Sequence, residues 1–318
     1  MSLTEDIKSE ALELGFDLVG ITDAAPIDIA HIELLTRWLE AGCAGRMNYM
    51  HRNFKKRINP AQLLEGAQSV ICIGLNYNPP KAQLKSARTN APLGQVAAYA
   101  QYEDYHFFIK KRLRKLTDFI TSLAGTGFKF KVCVDSAPLA ERALARRAGL
   151  GFIGKNRMLI NPELGPHILL GEIITTLKLE TDKPLKDTCS DCDKCINACP
   201  TKALSADGRL DARKCISYLT IEYKGPIPLD LARRMGSRLF GCDECILACP
   251  YHDDTPLCTN KQFRFFNDRS ELDLHKILQL TQEEFDSVFA DSPLKRLPLP
   301  ALRRNAKICL TNITAAAF

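Results

Sequence analysis

The chain has 318 residues, 46% of them hydrophobic and 25% charged, with a net charge of +6. These values exclude a disordered or fibrous chain and leave room for two or three domains with full cores. No window approaches the ~18 apolar residues of a membrane span, and the acidic, amphipathic opening Met1–Phe16 is unlike a signal peptide, so the chain is expected to be cytoplasmic, monomeric and free of membrane. Thirteen cysteines in such a chain point to a reducing compartment, where thiolates serve metals rather than disulfides.

In chain order, helical periodicity over Thr4–Leu14 precedes a short strand at Phe16–Thr22 and a helix over Ile29–Ala41. Ser69–Leu75 reads as a buried strand, followed by a loop rich in Pro and Asn from Asn76 to Gly94. Asp104–Leu123 reads as a long helix, apolar on one side and basic on the other. Phe128–Val134 alternates as a strand, and Pro138 then opens a helix capped by Ser136. Gly149–Gly154 ends that helix; Met158–Asn161 and His167–Leu179 are further strands. A cysteine-rich region spans 185–258. The tail Ser270–Thr311 is helical, with a capping box at Thr281–Glu284.

The cysteines carry the chemistry. Cys189-x2-Cys192-x2-Cys195-x3-Cys199-Pro200 is the bacterial ferredoxin pattern for two [4Fe–4S] clusters, in which the Cys before Pro reaches across to the other cluster. A second run, Cys242-x2-Cys245-x3-Cys249-Pro250, lacks its opening Cys, because Leu239 stands there. A cubane needs four ligands, so another thiolate completes it; Cys215 is the economical candidate and Cys258 the alternative. The spacing assigns Cys189, Cys192, Cys195 and Cys249 to one cluster and Cys199, Cys215, Cys242 and Cys245 to the other. Zinc would call for two pairs across a longer gap, or for Cys mixed with His. The fold expected is mixed α+β/α/β, with an α/β domain over 1–180, a ferredoxin-like two-cluster domain over 181–260 and a short helical segment over 261–318.

Other motifs are read against plainer alternatives. Gly149-Leu-Gly-Phe-Ile-Gly154 spells G-x-G-x-x-G, but a helix precedes it and a strand follows, the reverse of a dinucleotide site. Its glycines end the helix, leaving Lys155 and Asn156 facing a cleft. Asp135, at the end of the strand Phe128–Val134, is either an acid whose pKa burial raises or the cap of the next helix. Asp104-Tyr105-His106 opens like the D-x-H-x-x-G cobalamin motif, but Ile109 replaces its Gly. A corrinoid bound here is therefore expected to lack a protein His on its lower face. Three basic groups suggest a polyanionic partner: Lys110, Lys111, Arg112, Arg114 and Lys115; Arg142, Arg146 and Arg147; and Lys295, Arg296, Arg303, Arg304 and Lys307.

Several motifs in order resemble one family. They are Val134-Asp-Ser-Ala-Pro-Leu-Ala-Glu-Arg142, Gly151-Phe-Ile-Gly-Lys-Asn156, Leu170-Gly-Glu-Ile173, the two cysteine runs, Arg213–Glu222 and Lys224-Gly-Pro-Ile-Pro228. Over roughly residues 1–312 the chain resembles epoxyqueuosine reductase, the last enzyme of queuosine synthesis in bacterial tRNA. The resemblance implies a cobalamin held between the N-terminal domain and the ferredoxin-like domain. It implies two-electron reduction of epoxyqueuosine to queuosine at the wobble base, fed by an unidentified low-potential electron donor. By position, Asp135 is the proton donor and the eight cysteines match the two cluster sets. Ser217 and Asp243 fall on the cluster side of the corrin; Leu159, Leu170 and Arg57 fall on the other. Lys224 matches a position near bound tRNA.

The chain departs from the family at Gln101-Tyr102-Glu103, where an Arg-Gly-type pair is common, and at Gly165-Pro166-His167, where Gly-Ser-aromatic is usual. Many members continue into a helical repeat segment beyond the point matching Arg304-Asn305. The rival readings are a corrinoid iron–sulfur reductive dehalogenase, which shares the clusters but needs no basic surface, and a two-cluster electron carrier, which leaves about 180 N-terminal residues without a role.

Overall fold

The Val- and Ile-rich segment Ser69–Asn76 is buried at all eight positions, as expected of a strand covered on both faces. The computed structural model describes residues 2–80 and 91–316, and its strands are β1 (Leu18–Asp23), β2 (Ser69–Asn76), β3 (Leu93–Val96), β4 (Phe130–Cys133), β5 (Phe152–Ile153), β6 (Leu159–Ile160), β7 (Ile168–Thr175), β8 (Arg238–Phe240) and β9 (Glu271–Asp273). The first sheet has the order β1-β2-β7-β4. Every pair in it is antiparallel. The mixed helix–sheet content expected of the N-terminal part is therefore present, but the parallel ladder of an α/β domain is not. Alternation of strands and helices along a chain leaves strand direction open when the connections are long.

On one face, the helices Leu3–Glu13 and Tyr105–Ala124 cover Ile71, Ile73, Leu75 and Ile173. The longer helix buries Phe108, Ile109, Leu113, Leu116 and Ile120, a one-sided stripe at helical spacing. On the other face, the short helix Glu141–Arg147 packs over Val70, Cys72, Cys133 and Ile174. Its end lies so close to β1 that a Cβ on Gly20 would overlap the Ala148 carbonyl. Gly149 then takes φ +80° and turns the chain into β5.

That short helix starts at Glu141, with Ala140 in the capping position, and not at Pro138. Ser136 does not cap it. The Ser136 hydroxyl donates to the Val134 carbonyl, and the Ala140 N–H is taken by the Arg57 carbonyl at 3.1 Å. The segment 136–140 is thus held by the neighbouring Arg57 before helical geometry can begin.

The second sheet has the order β8-β3-β9, with β3 parallel to β8 and antiparallel to β9. It joins Val96 and Ala100 to Leu239, Phe240, Leu274, Phe285, Phe289 and Leu302 in one core. The C-terminal helix Leu299–Ala316 closes this core. Its fully buried Asn305 donates to the carbonyls of Thr220 and Leu239. The capping box at Thr281 forms: the Glu284 N–H donates to the Thr281 hydroxyl at 3.1 Å and the Thr281 N–H to the Glu284 carboxylate at 2.7 Å. The expected loop Asn76–Gly94 lies partly outside the described residues, and its end enters β3. Among the described residues no helix is long and apolar enough to cross a membrane.

Candidate functional site

The two cysteine runs fold alike. Each leads into a short helix, Lys194–Ala198 carrying Cys195 and Glu244–Leu247 carrying Cys245, and these helices pack together. The thiols fall into two groups that act on one another. Burial raises the pKa of Cys195, which Cys189 and Cys192 raise further; burial does the same to Cys249, with Cys189, Cys195 and Cys192 adding to it. In the second group burial pushes Cys242 up to about 12 with a contribution from Cys215. Cys245 is raised by burial, then by Cys215 and Cys242, while Cys215 itself feels Cys199. Cys195 also acts on Cys245, so the groups adjoin.

Backbone N–H groups point at these sulfurs: Ser217 and Tyr218 at Cys215, Glu244 at Cys242, Tyr251 at Cys249, and Ala203 at Cys199 at 3.2 Å. Such donors stabilise thiolates and tune cluster potentials. Among the described residues no three His, Cys, Asp or Glu side chains converge on a single metal ion; a cubane spreads its four thiolates over a wider tetrahedron. Cys258 stands apart from both groups, against Tyr102. Cys72 and Cys133 are buried in the first sheet's cores, as expected of small hydrophobes.

Asp135 lies two residues beyond β4 with φ +51°, in the left-handed region that Asp tolerates better than most residues. The Ser136 N–H reaches the Val134 carbonyl at 2.5 Å across it, a tight γ-turn. The turn aims the Asp135 carboxylate at the helix Tyr105–Ala124. There His106 Nε2 lies 3.0 Å from Asp135 Oδ2, and His106 Nδ1 lies 2.6 Å from Asp104 Oδ1. Asp104 is also the helix N-cap, accepting the His106 N–H, so cap and imidazole hold each other. Arg296 Nε stands 3.7 Å from the far oxygen of Asp104.

The electrostatics reverse one expectation. Withdrawal from solvent in the cleft would raise the Asp135 pKa, an effect limited by a side chain that is 55% exposed; the hydrogen bond and charge of His106, with Arg296 and Arg142, bring it below the ordinary carboxylate value. Burial likewise opposes the His106 imidazolium, yet the hydrogen bonds it donates to Asp104 and Asp135 outweigh it and its pKa is raised. Both shifts, and the placing of each ring nitrogen against a carboxylate oxygen, favour a proton on the imidazole over one on the Asp135 carboxyl. In the sequence His106 stands only within an imperfect D-x-H-x-x-G motif. Its contact with Asp135 joins positions 29 apart that only the packing of helix on sheet brings together.

The other predicted residues divide between two sides. Arg57 donates to the Leu139 carbonyl, feels Asp135 and Glu141, and keeps a buried Nε without a partner. Leu159 and Leu170 belong to the core under the helix Glu141–Arg147, together with Ile58 and Leu139. Asp243, between Cys242 and Cys245, accepts the Ala98 N–H at 2.6 Å, and burial pushes its pKa to about 6. Tyr99 packs edge-on against Tyr105 at 6.1 Å and tilted against Phe240 at 6.3 Å, which places it between the helix carrying His106 and the segment leading into Cys242. Ser217 is half-buried next to Cys215, and Lys224 is exposed with its ammonium on the Ile221 carbonyl. Lys155 and Asn156 reach across to the cysteine segment, onto Asp193 at 2.7 Å and the Cys245 carbonyl at 3.1 Å.

The basic groups are not alike. Lys110, Lys111, Arg114 and Lys115 are exposed. Arg112 instead bonds the Leu14 carbonyl and Gln262 and stacks on Phe108. Arg147 is tied to Thr22, Asp23, Ala25 and Pro26. Arg304 holds the carbonyls of Leu219, Tyr223 and Gly225. These three arginines stitch segments together.

Comparison with known proteins fits this arrangement. The family model "Epoxyqueuosine reductase QueG, DUF1730" matches residues 57–136, and the model "4Fe-4S double cluster binding domain" matches residues 188–252. The epoxyqueuosine reductase of Vibrio cholerae is 39% identical over 311 residues, spanning 98% of this chain and 83% of that protein. The Escherichia coli enzyme is 38% identical over 314 residues, spanning 98% and 81%. Among solved structures, that of epoxyqueuosine reductase from Streptococcus thermophilus superposes with a TM-score of 0.89 at 33% identity, covering 98% of this chain and 82% of the other. One with a tRNA-Tyr epoxyqueuosine-modified stem loop gives 0.88 at 31%, covering 99% and 82%. A Bacillus subtilis relative, solved with its catalytic aspartate loop swung out of the active site, gives 0.87 at 30%, covering 99% and 82%. With a shared fold, a two-cluster cysteine framework and this degree of identity along nearly its whole length, the chain belongs to the epoxyqueuosine reductase family.

Proposed function

We propose that this protein reduces epoxyqueuosine to queuosine in the anticodon loop of tRNA, with cobalamin as the reducing centre and two [4Fe–4S] clusters as its electron supply. The observation that carries the reading is that Tyr99 packs at once against Tyr105, beside the His106–Asp135 pair, and against Phe240, which leads into Cys242 and the thiol groups. The thiol groups supply the ligand sets: Cys189, Cys192, Cys195 and Cys249 for one cluster, Cys199, Cys215, Cys242 and Cys245 for the other. In this reading residues 1–180 serve the cobalamin and substrate, 181–260 the clusters, and 261–318 form a helical brace, with β3, β8 and β9 joining the three segments in one sheet.

Arg57, Leu159 and Leu170 on one side and Ser217 and Asp243 on the other suit the rim of a large, amide-fringed macrocycle. Arg57 Nε is a buried donor still without a partner, and the ring nitrogens of His106 are both engaged by carboxylates, which leaves that imidazole off the metal. When bound, cobalamin would supply low-valent cobalt able to take up single electrons and act on the epoxide.

The residues of the chain handle the protons. Opening an epoxide to an alkene consumes two electrons and two protons and releases water. His106 holds a proton at Nε2 against Asp135 Oδ2, and Asp135, with its side chain 55% exposed, can pass it to the departing oxygen. Asp104 on Nδ1 keeps the imidazole oriented and stabilises its charged form. The turn carrying Asp135 is one that can move, as in the Bacillus subtilis relative. A modified base in an unpaired loop can be splayed into such a site, and exposed Lys110, Lys111, Arg114 and Lys224 suit the surrounding phosphates.

Anaerobic reconstitution followed by a chemical reductant and epoxyqueuosine-containing tRNA tests the reading. Conversion of the epoxide in the tRNA, dependent on added corrinoid, is the expected result. Cluster reduction without conversion, with or without corrinoid, would reduce the protein to an electron carrier.

A further inference from the structure

Behind Asp135 lies a second pair of acids. Glu172 sits on β7 between Cys72 of β2 and Cys133 of β4 in the ladder and is fully buried. Neither of its carboxyl oxygens meets a hydrogen-bond donor. The group within hydrogen-bonding reach is another carboxyl, that of Glu141 on the helix covering this face. Two carboxyls can bond to each other only when one carries a proton. Glu141 turns its Oε1 to the Asp135 backbone, accepting that N–H at 2.5 Å. The chain is thus Glu172, Glu141, then the peptide that holds Asp135 in its left-handed turn.

We propose that Glu141 and Glu172 share one proton and together form a latch that holds the Asp135 turn in place, with Glu141 as the positioning residue and Glu172 as its proton-bearing partner. The inference rests on the role given above to Asp135. It accounts for an acid at the centre of an apolar core, where an unpaired carboxylate is costly and a neutral carboxyl donating to a carboxylate is not. It also accounts for how a non-glycine residue is kept at φ +51°, a conformation that persists only where its surroundings over-determine it.

The electrostatics agree in direction. Burial raises Glu172 well above the ordinary range, with Glu141 and Asp135 adding to it. Burial and the Asp135 charge raise Glu141 to about 7, against the Asp135 N–H, Arg142 and Glu172, which lower it. The other groups facing the pair are Arg57, Tyr105, Cys72 and Cys133. Loss of the shared proton at high pH would leave two carboxylates repelling each other, and the turn should loosen.

Amide hydrogen exchange of the holoenzyme, followed on peptides covering residues 130–140 and expressed as protection factors across pH, reads the turn without reference to turnover. Native protein should show high protection at Asp135 that falls as pH rises. Glu172→Gln supplies a permanent donor to Glu141 and should keep protection at all pH values. Glu172→Met keeps similar volume without a donor and should lower protection by about tenfold or more, the scale of a hydrogen bond to a charged group. Glu141→Ala, at a half-buried helix position, should do the same in a fold that tolerates it. Protection in Glu172→Met equal to native, or Glu172→Gln as loose as Glu172→Met, overturns the latch, as does unchanged protection in Glu141→Ala. A latch that behaves as described in an enzyme whose Asp135→Asn variant is fully active would leave the latch standing and the proton-donor role rejected.

Discussion

His106 Nε2 and Asp135 Oδ2 lie 3.0 Å apart, an ion pair formed between the start of a helix and a turn beyond the edge strand β4. A carboxylate in this position is a conduit for a proton that the imidazole stores. Asp135→Asn keeps the shape and removes the conduit. Single turnover with pre-reduced enzyme should fall by roughly 10²–10⁴, the range for loss of a general acid, while corrinoid and iron content stay unchanged. His106→Gln should also slow the step and should remove its alkaline limb. The sign follows from the directions: His106 titrates above its usual value, so its proton persists to higher pH than on a free imidazole and is lost as pH rises further. A pH–rate profile in which His106→Gln retains the native alkaline limb would assign that limb to another group.

The ligand set of the second cluster is testable at one atom. Cys215 Sγ sits at the start of the helix Ile216–Ile221 with two backbone N–H groups aimed at it. Cys215→Ser should halve the iron from about eight atoms per chain by the four-thiolate rule. Cys258→Ser should leave the iron content intact. Iron analysis and electron paramagnetic resonance of the reduced protein separate the two outcomes.

Polyanion binding should depend on the exposed cations of the helix Tyr105–Ala124 and not on Arg112. Replacing Lys110, Lys111 and Arg114 by Gln should weaken tRNA binding. The slope of log affinity against log salt should flatten by about one unit for each phosphate that is no longer neutralised. Arg112→Gln should instead lower thermal stability, because it removes bonds to Leu14 and Gln262. An unchanged salt slope in the triple variant would make this face a plain solvated surface.

His167 is an uncompensated polar group. It is fully buried, both ring nitrogens lack partners, and it packs against Tyr77 and His252. Burial, assisted by His252, pushes its pKa down to about 3. Below pH 6.5 the unfolded chain takes up a proton here that the folded chain refuses. The native protein should therefore lose about 1.4 kcal/mol of stability per pH unit as pH falls from 6.5. His167→Phe keeps a ring and removes this term, so its melting temperature should exceed that of native protein by a margin that widens between pH 7.5 and pH 5.5. Equal melting temperatures at both pH values would show that His167 is hydrated or protonated in the fold.

Much of this was legible in the residues. The main elements as far as β7, the cubane spacing and the family motifs can be read along the chain, because each depends on neighbours a few positions apart; the tail expected to be helical from Ser270 instead opens with the strand β9, Glu271–Asp273. The cap at Thr281 and the glycine end at Gly149 are local in the same sense. What could not be read depends on contacts across the sheet. Strand direction is set by how long connections return, and the edge of the Asn76–Gly94 loop became β3 only because β8 and β9 flank it. His106 looks like any histidine on a helix flank until Asp135 is placed opposite. Glu172 sits inside Leu170-Gly-Glu-Ile173, where an acid in an apolar strand was a visible signal, but its partner Glu141 lies on another element.

The parallel pairing of β3 with β8 has a consequence for synthesis on the ribosome. Leu93–Val96 must wait, unpaired, until the chain has grown past Phe240 and then past Asp273. During that wait every cysteine of the first run emerges. Cluster insertion and closure of the second sheet therefore fall in the same late window, and the nascent N-terminal sheet alone offers β3 nothing to join. Slow translation through 188–273 should favour productive maturation, and truncation before β9 should yield a chain that takes up iron poorly and is cleared by proteases.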